Sequence, residues 1–228
     1  MDRTTLAEII EKKAHGEAFV LATNLNAGRS LIIDAKTLEQ SELNAAAQAA
    51  LARDESTQVT INNETWFLNV HNAPPSLYII GAVHIAQPLS QLGAIAKFNV
   101  VVIDPRTAFA TSERFPNLRI MTAWPDEALA NLPVTARTAI VTLTHDPKLD
   151  DPALLSALRS SCFYIGALGS KKTHAARRER LARQGIDDAT FARVHGPVGL
   201  DIGAVSPAEI AVSIMAQIID RLRHGARA

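Results

Sequence analysis

Cysteine is almost absent from this sequence. Cys162 stands alone among 228 residues, so no disulfide can form within the chain, and such a composition is typical of a reducing compartment. Long apolar runs are missing too, because nowhere do about 18 uncharged apolar residues follow one another, the length that a membrane helix needs. Residues 1–15 are too polar for a secretion signal. We therefore expect a cytoplasmic protein with no membrane segment.

Net charge is also missing, because 23 basic side chains balance 23 acidic ones. Proteins that bind DNA or RNA usually carry a basic excess that attracts the phosphate backbone. We therefore expect no nucleic-acid partner. Cys162 has no CxxC or HxH neighbour and is better explained as a buried apolar filler than as a metal ligand. No metal site is predicted.

What the sequence does contain is 47% hydrophobic residues, enough for a packed core, and one clear break in its pattern. Paired prolines within residues 72–76 stop both helix and sheet. We predict a small N-terminal α/β domain over residues 1–73 and a larger domain over residues 74–228. In the smaller domain, the pattern predicts a first helix around Leu6–Lys13, an alanine-rich helix around residues 45–52, and strands at Phe19–Thr23, Leu31–Asp34, Val59–Ile61 and Thr65–Val70.

In the larger domain, short and fully apolar runs alternate with helical segments. Such runs are typical of parallel strands that helices cover on both faces. The predicted fold is therefore a Rossmann-type α/β domain with a doubly wound parallel sheet, whose ligands bind beyond the carboxyl ends of the strands. The six predicted strands are Leu77–Ile80, Val100–Ile103, Arg119–Met121, Ala139–Leu143, Phe163–Ile165 and Ala192–Val194.

The first strand-to-helix turn has the frame of a dinucleotide site. Gly81 follows the first strand, and Asp104 ends the second strand about 20 residues later, where an acid would bind a ribose. Val83, however, stands where a pyrophosphate needs bare backbone, so NAD(P) stays an alternative ligand. Asp104 and Arg106 either bind a ligand together, with Arg106 on a phosphate, or form a strand-end ion pair. His84 is either a ligand contact or a structural residue.

Polar residues also follow the fourth strand, in the order Thr144-His145-Asp146. His145 and Asp146 could act as an acid–base pair, but helix capping explains Asp146 equally well. We therefore assign no catalytic residue and keep His145 as a candidate binding residue.

The fifth strand ends in a glycine-rich turn that resembles a phosphate loop. It is not a Walker A motif, because Lys171 stands where the second glycine is required. Gly166 and Gly169 permit close backbone approach, and Ser170 can cap the next helix. Lys171 can neutralise an anion at the positive end of that helix, so this turn is the predicted phosphate site. The basic residues further along the helix form either a solvated face or a docking face for an acidic partner.

The last glycine-rich turn, residues 195–204, contains more glycine than a simple turn requires. This surplus argues for close contact of its backbone with a ligand or with a neighbouring chain. Gly199 and Asp201 are its candidate binding residues. The helix that begins after Ser206 carries an apolar stripe, which we assign to the core first and to a homodimer face second.

Two long motifs and four short ones, in this order, resemble the XdhC/CoxI family of accessory proteins for xanthine dehydrogenase and related molybdenum hydroxylases. The motifs are GAVHIA (81–86), VIDPR (102–106), ERFP (113–116), THD (144–146), YIGALGSKKTHAARRERL (164–181) and GPVGLDIGAVSPAEIAVSI (196–214). The resemblance covers residues 76–220. The N-terminal domain is divergent, because the GSSPR-like segment typical of the family is not found in residues 1–72.

The resemblance implies a cytoplasmic cofactor chaperone and not an enzyme. Members of the family are understood to bind the molybdenum cofactor (molybdopterin), a phosphorylated pterin dithiolene, and to insert it into the apo-hydroxylase after sulfuration. The expected partners are therefore a xanthine dehydrogenase-like molybdenum hydroxylase and a cysteine desulfurase-type sulfurase. Two alternatives stay open: an NAD(P)-binding oxidoreductase of Rossmann type, and a ligand-free scaffold between hydroxylase and sulfurase.

Overall fold

The computed structural model describes residues 2–34 and 43–225. They form two compact units, one within residues 2–74 and one spanning Pro75–Gly225. The division therefore falls between the paired prolines. Within the described residues, no helix is both long and apolar enough to cross a lipid bilayer.

The smaller unit is an antiparallel sheet of four strands with two helices. Its elements are α1 (Arg3–Ala14), β1 (Phe19–Asn24), β2 (Ser30–Asp34), α2 (Asn44–Arg53), β3 (Thr57–Ile61) and β4 (Glu64–His71). The strands lie in the order β2-β1-β4-β3, so β1 pairs with both β2 and β4. The predicted small α/β unit is confirmed.

One face of this small sheet forms a core with α2. Val20 and Ala22 of β1 alternate inward and are fully buried, together with Leu68 of β4. Ala47 and Ala50 are the buried residues of α2. Because alanine side chains are short, this helix can lie close to the sheet, which gives the alanine-rich segment its packing role.

The larger unit is built on a six-stranded, wholly parallel sheet. Its elements are β5 (Ser76–Ile80), α3 (Ala86–Ile95), β6 (Asn99–Ile103), β7 (Arg119–Met121), α4 (Pro125–Ala130), β8 (Thr138–Thr142), α5 (Pro147–Leu158), β9 (Tyr164–Ala167), α6 (Lys171–Ala182), α7 (Asp188–Phe191), β10 (Val194–His195) and α8 (Pro207–His224). The strand order β7-β6-β5-β8-β9-β10 is the 3-2-1-4-5-6 order of a Rossmann domain. The predicted fold is confirmed.

Side chains of the central strand β5 alternate between two cores. Leu77 and Ile79 pack on the side of α3 and α8, whereas Tyr78 and Ile80 pack on the side of α4, α5 and α6. All four are at most 2% exposed. Burial of an aliphatic side chain of this size contributes about 1.5–3 kcal/mol. Both faces of the sheet are therefore covered, as the uninterrupted apolar runs predicted.

The order of the strands reverses at β5, and this reversal determines where the candidate binding residues lie. The chain runs outward from β5 through β6 to β7, and then returns to place β8 on the other side of β5. Helix α3, which follows β5, packs on one face of the sheet, and α5, which follows β8, packs on the other. The loops after β5 and β8 therefore leave the sheet towards opposite faces, and this switch point at the carboxyl edge is where Rossmann domains bind their ligands.

The last strand begins later than the sequence predicted. The prediction was Ala192–Val194, and the strand is Val194–His195. The cause is the short helix α7, which is capped by Asp187 through a bond from the Thr190 amide (2.7 Å) and ends with Ala192 as its C-cap. The cap keeps the chain helical up to that point.

Candidate functional site

The loops that follow β5 and β8 touch each other at Gly81. Its φ of +105° favours glycine. A Cβ on Gly81 would lie 2.5 Å from Cγ2 of Thr144, far inside van der Waals contact. Any side chain here would push the two loops apart, so glycine at this position lets them stay in contact.

Asp104, at the end of β6, is fully buried and organises the neighbouring loop. Its Oδ2 accepts from the Ala82 amide (2.8 Å) and from Nη2 of Arg106 (2.7 Å). Its Oδ1 accepts from the amide and from Nε of Arg106, both at 2.9 Å. Burial alone would raise the pKa of Asp104, but these donors outweigh it and hold that pKa below its usual range. The carboxylate therefore fixes the loop after β5 and the arginine together.

Arg106 is held rigidly and is still 38% exposed at its side chain. Two of its three guanidinium nitrogens bind Asp104, and its Cζ lies 4.7 Å from the centroid of the Phe109 ring. The bond to Asp104 raises the pKa of Arg106, so the side chain stays charged. A fixed, partly exposed guanidinium of this kind is suited to binding an anion.

The two candidate histidines lie in the loops that follow β5 and β8, one in each loop. His84 is exposed in the turn before α3, and that helix begins without a side-chain cap. His145 is exposed after β8, with a φ of +62°. Its neighbour Asp146 caps α5 by accepting from the Lys148 amide (2.9 Å). Asp146 thus has the capping role that the sequence left as one of its two explanations.

The predicted phosphate turn leads into the N-terminus of α6. Ser170 is the N-cap and accepts from the Thr173 amide (3.2 Å), and Lys171 is the exposed first residue of the helix. Gly169 has a φ of +138°. Gly166 has a packing role inside the protein, because a Cβ there would lie 2.5 Å from Cγ2 of Val198.

Sequence reasoning missed the buried ion pair behind this turn. Arg177 of α6 is 1% exposed, and its Nη2 donates to the carbonyl of Leu168 (2.9 Å). The same nitrogen lies 3.7 Å from Oδ2 of Asp150 in α5. Asp150, also 1% exposed, accepts from Oγ1 of Thr144 (2.7 Å). Burial raises the pKa of Asp150 and lowers that of Arg177. The pair joins the loop after β8 to the loop after β9.

A signal for this burial exists in the sequence. Arg177 lies four residues before Leu181, the other buried residue of α6, so both occupy one face of the helix. Elsewhere on α6, Arg178 binds Asp188, and Arg180 binds Asp151 at 2.6 Å. Much of the predicted basic surface is therefore neutralised within the protein, which removes support for a docking face along this helix.

The last glycine-rich loop is fixed from behind by α8. Oε1 of Gln217 accepts both from the Gly199 amide (2.9 Å) and from the Tyr164 hydroxyl (2.6 Å). Gly199 has a φ of +97°, and a Cβ there would lie 2.3 Å from Oγ of Ser213. Close packing against α8 therefore requires glycine at this position, whether or not a ligand binds here. Asp201 lies further along the loop and is exposed.

Cys162 is 4% exposed, and burial raises the pKa of its thiol. Its Sγ donates to the carbonyl of Ala157 (3.5 Å). Within residues 2–34 and 43–225, no group of three or more histidine, cysteine, aspartate or glutamate side chains could hold a metal ion.

All the candidate residues lie at carboxyl ends of strands, and each loop contacts the next. The loops after β5, β6 and β8 meet through Gly81 and Asp104, and Arg177 connects them to the loop after β9. Gly166 contacts the loop after β10 through Val198. That loop lies two strands from β8, about 10 Å away at the usual strand spacing. Asp201 is therefore the candidate furthest from the switch point.

This sheet order, with its reversal at β5, defines a Rossmann domain. Residues 77–218 match the XdhC Rossmann domain, and the match covers more than half of the chain. The chain therefore belongs to the XdhC family.

Named relatives support this assignment. The chain is 37% identical over 146 residues to a probable xanthine dehydrogenase subunit from Bacillus subtilis (strain 168), and this match covers 64% of the chain and 42% of that protein. It is 32% identical over 97 residues to the molybdenum cofactor insertion chaperone PaoD of Escherichia coli (strain K12), a match that covers 42% of the chain and 30% of PaoD. The chain thus spans less than half the length of these curated relatives.

A solved structure has the same fold. The crystal structure of a xanthine dehydrogenase from Bacillus halodurans superposes with a TM-score of 0.73 at 24% identity. The alignment covers 99% of this chain and 68% of that one. At this level of identity the likeness concerns the fold alone.

Proposed function

We propose that this chain is an accessory protein that binds the molybdenum cofactor and delivers it to a xanthine dehydrogenase-type molybdenum hydroxylase. The observation that carries the proposal is the glycine-rich turn before α6, where Ser170 caps the helix N-terminus and Lys171 is exposed beside it. The relationship to the insertion chaperone PaoD supports the choice of ligand. In this proposal the protein acts in the cytoplasm, with a cysteine desulfurase-type sulfurase as its second partner.

The charged groups at the carboxyl edge suit a phosphorylated pterin. Arg106 offers a fixed guanidinium, and the N-terminus of α6 offers a positive helix end with Lys171 beside it. In the interior, Nε and Nη1 of Arg177 have no acceptor among the described residues. Oδ2 of the buried Asp150 likewise has no donor among these residues, so the support for an anionic ligand comes from Arg106 and from the N-terminus of α6.

The proposal gives nine of the eleven candidate residues a role at the ligand, whereas Asp104 positions Arg106 and Gly166 makes room for Val198. Arg106, Ser170 and Lys171 bind the phosphate of the cofactor. His84, His145 and Asp201 contact its polar edges, and the backbone at Gly81, Gly169 and Gly199 shapes the walls. When bound, the cofactor carries the molybdenum that the client hydroxylase uses. This chain holds and shields it, and no residue here makes or breaks a bond.

The experiment is to purify the protein from a molybdenum-replete host. Metal analysis and pterin fluorescence after oxidation should give molybdenum and pterin in matching amounts. Lys171→Ala should weaken retention of the cofactor about tenfold, since it removes one hydrogen bond from a charged donor. Arg183→Ala, at the far end of the same helix, is the matched control and should retain the cofactor. Wild-type protein without molybdenum and pterin would overturn the proposal.

The strand order favours a second candidate, an oxidoreductase that binds NAD(P). Asp104 stands at the position of a ribose-binding acid, but both of its oxygens already accept two N–H groups each. It could bind a ribose hydroxyl only by releasing Arg106 or the Ala82 amide. Calorimetry with NADH and NADPH distinguishes the two candidates, because tight binding accompanied by hydride exchange would favour the oxidoreductase.

A further inference from the structure

Burying the pair formed by Arg177 and Asp150 costs desolvation free energy when the protein folds. Both side chains are 1% exposed, and the closest atoms of the two charged groups lie 3.7 Å apart. Nε and Nη1 of Arg177 and Oδ2 of Asp150 make no hydrogen bond with the described residues. Removing two charges from water is costly, and two apolar residues of similar volume often stabilise a protein as well or better. Unlike apolar side chains, a charged pair can fix the orientation of the polar groups to which it donates hydrogen bonds.

Arg177 fixes the orientation of one peptide group, the one between Leu168 and Gly169. Its Nη2 donates to the carbonyl of Leu168, the residue before Gly169. A peptide group is planar and trans, so the carbonyl of Leu168 and the N–H of Gly169 point in opposite directions. Because the carbonyl points at the buried arginine, the amide of Gly169 points away from it. That amide lies one residue before Ser170, the N-cap of α6.

We propose that Arg177 is a positioning residue that aims the Gly169 amide at an anionic oxygen of the ligand, in line with the N-terminus of α6. Asp150 anchors the arginine and, through Thr144, ties this turn to the loop after β8. The ligand group is a phosphate. The inference rests on the proposed function for the identity of the whole ligand, but its own site can be tested with inorganic phosphate alone.

The central variant is the double substitution Arg177→Met/Asp150→Leu. It removes both buried charges at once, so it avoids the uncompensated charge that either single change would leave. The matched control is Arg180→Met/Asp151→Leu, which removes another pair between α6 and α5 that binds no carbonyl of the turn. The 228-residue chain, of 24.5 kDa, is suitable for amide NMR spectroscopy.

In wild-type protein and in the control, titration with inorganic phosphate should shift the amide signal of Gly169. In Arg177→Met/Asp150→Leu the melting temperature should be retained, while the dissociation constant for phosphate rises about tenfold and the shift at Gly169 is lost, since one amide–anion hydrogen bond is misdirected. Arg177→Lys is a second test that needs no apolar repacking. Lysine keeps the charge, but its single ammonium nitrogen must replace Nη2 as the donor to Leu168 from a shorter side chain, so a smaller rise is expected.

Three results would overturn the inference: no shift at Gly169 in the wild type, unchanged binding in the Arg177 variants, or equal losses in the control. The proposed function fails in a different way, by the absence of molybdenum and pterin from the purified wild-type protein. A phosphate response at Gly169 without bound cofactor would leave the role of Arg177 standing and would refute the molybdenum ligand.

Discussion

Replacing Asp104 by asparagine should destabilise the larger unit strongly, although the two side chains have nearly the same shape. Each carboxylate oxygen accepts two N–H groups: Oδ1 from the amide and Nε of Arg106, and Oδ2 from the Ala82 amide and Nη2 of Arg106. Whichever way the new amide is turned, its NH2 group faces two donors. Two hydrogen bonds to a charged acceptor are lost at about 1.5 kcal/mol each, the lower end of the usual range because Arg106 is partly exposed, for a total of about 3 kcal/mol.

The assay is calorimetric unfolding of the full chain at pH 7. For a unit of this size, about 3 kcal/mol corresponds to a fall in Tm of about 6–12 °C. Glu113→Gln makes the same chemical change at an exposed position of the β6–β7 connection and should leave Tm unchanged. A Tm of Asp104→Asn equal to that of the control would refute the reasoning.

The pH dependence of the same variant gives an independent check. The pKa of Asp104 is lower in the folded protein than in the unfolded chain, so its stabilisation is present above pH about 4 and is lost as the pH falls further. The difference in stability between wild type and Asp104→Asn should therefore stay constant from pH 7 to pH 5 and shrink only below pH about 4. A difference that already disappears near neutral pH would contradict the assigned hydrogen bonds.

Three further predictions concern other parts of the larger unit. Gly199→Ala should lower the melting temperature more than Gly203→Ala. Both glycines have positive φ, but only a Cβ at position 199 would clash with Ser213. Equal effects in thermal unfolding would be inconsistent with this packing. Ser206→Ala should cost about 1 kcal/mol in denaturant unfolding, since it removes the N-cap of α8, and an unchanged midpoint would argue against the cap. The buried thiol of Cys162 should react with a disulfide reagent far more slowly in native than in denatured protein, and equal rates would show that it is accessible.

The architecture of the larger unit was readable from the sequence because its strands are buried on both faces. Uninterrupted apolar runs such as Val100–Ile103 carry that information locally, and the helices between them require parallel strands. The same logic placed every candidate loop at the carboxyl edge. Local patterns therefore sufficed for the strands and for the edge where ligands bind.

The contacts that shape the site were not readable, because they join residues far apart in the chain. The side chain missing from Gly166 makes room for Val198, and that missing from Gly199 makes room for Ser213. A sequence shows that glycine is present but not which atom occupies the space it leaves. Arg177 was hidden for a related reason, since an arginine in a polar helix is usually exposed and only its spacing to Leu181 indicates the interior.

The contact of Gly81 with Thr144 and the bonds of Asp104 order the loops at the switch point through the protein's own atoms. A receptor that is already rigid loses little conformational entropy on capture, so most of the interaction energy remains available as affinity. For a carrier this has a kinetic consequence. In the proposed role of cofactor carrier, the recipient enzyme would therefore have to compete for the ligand, and the dissociation rate would set the rate of delivery.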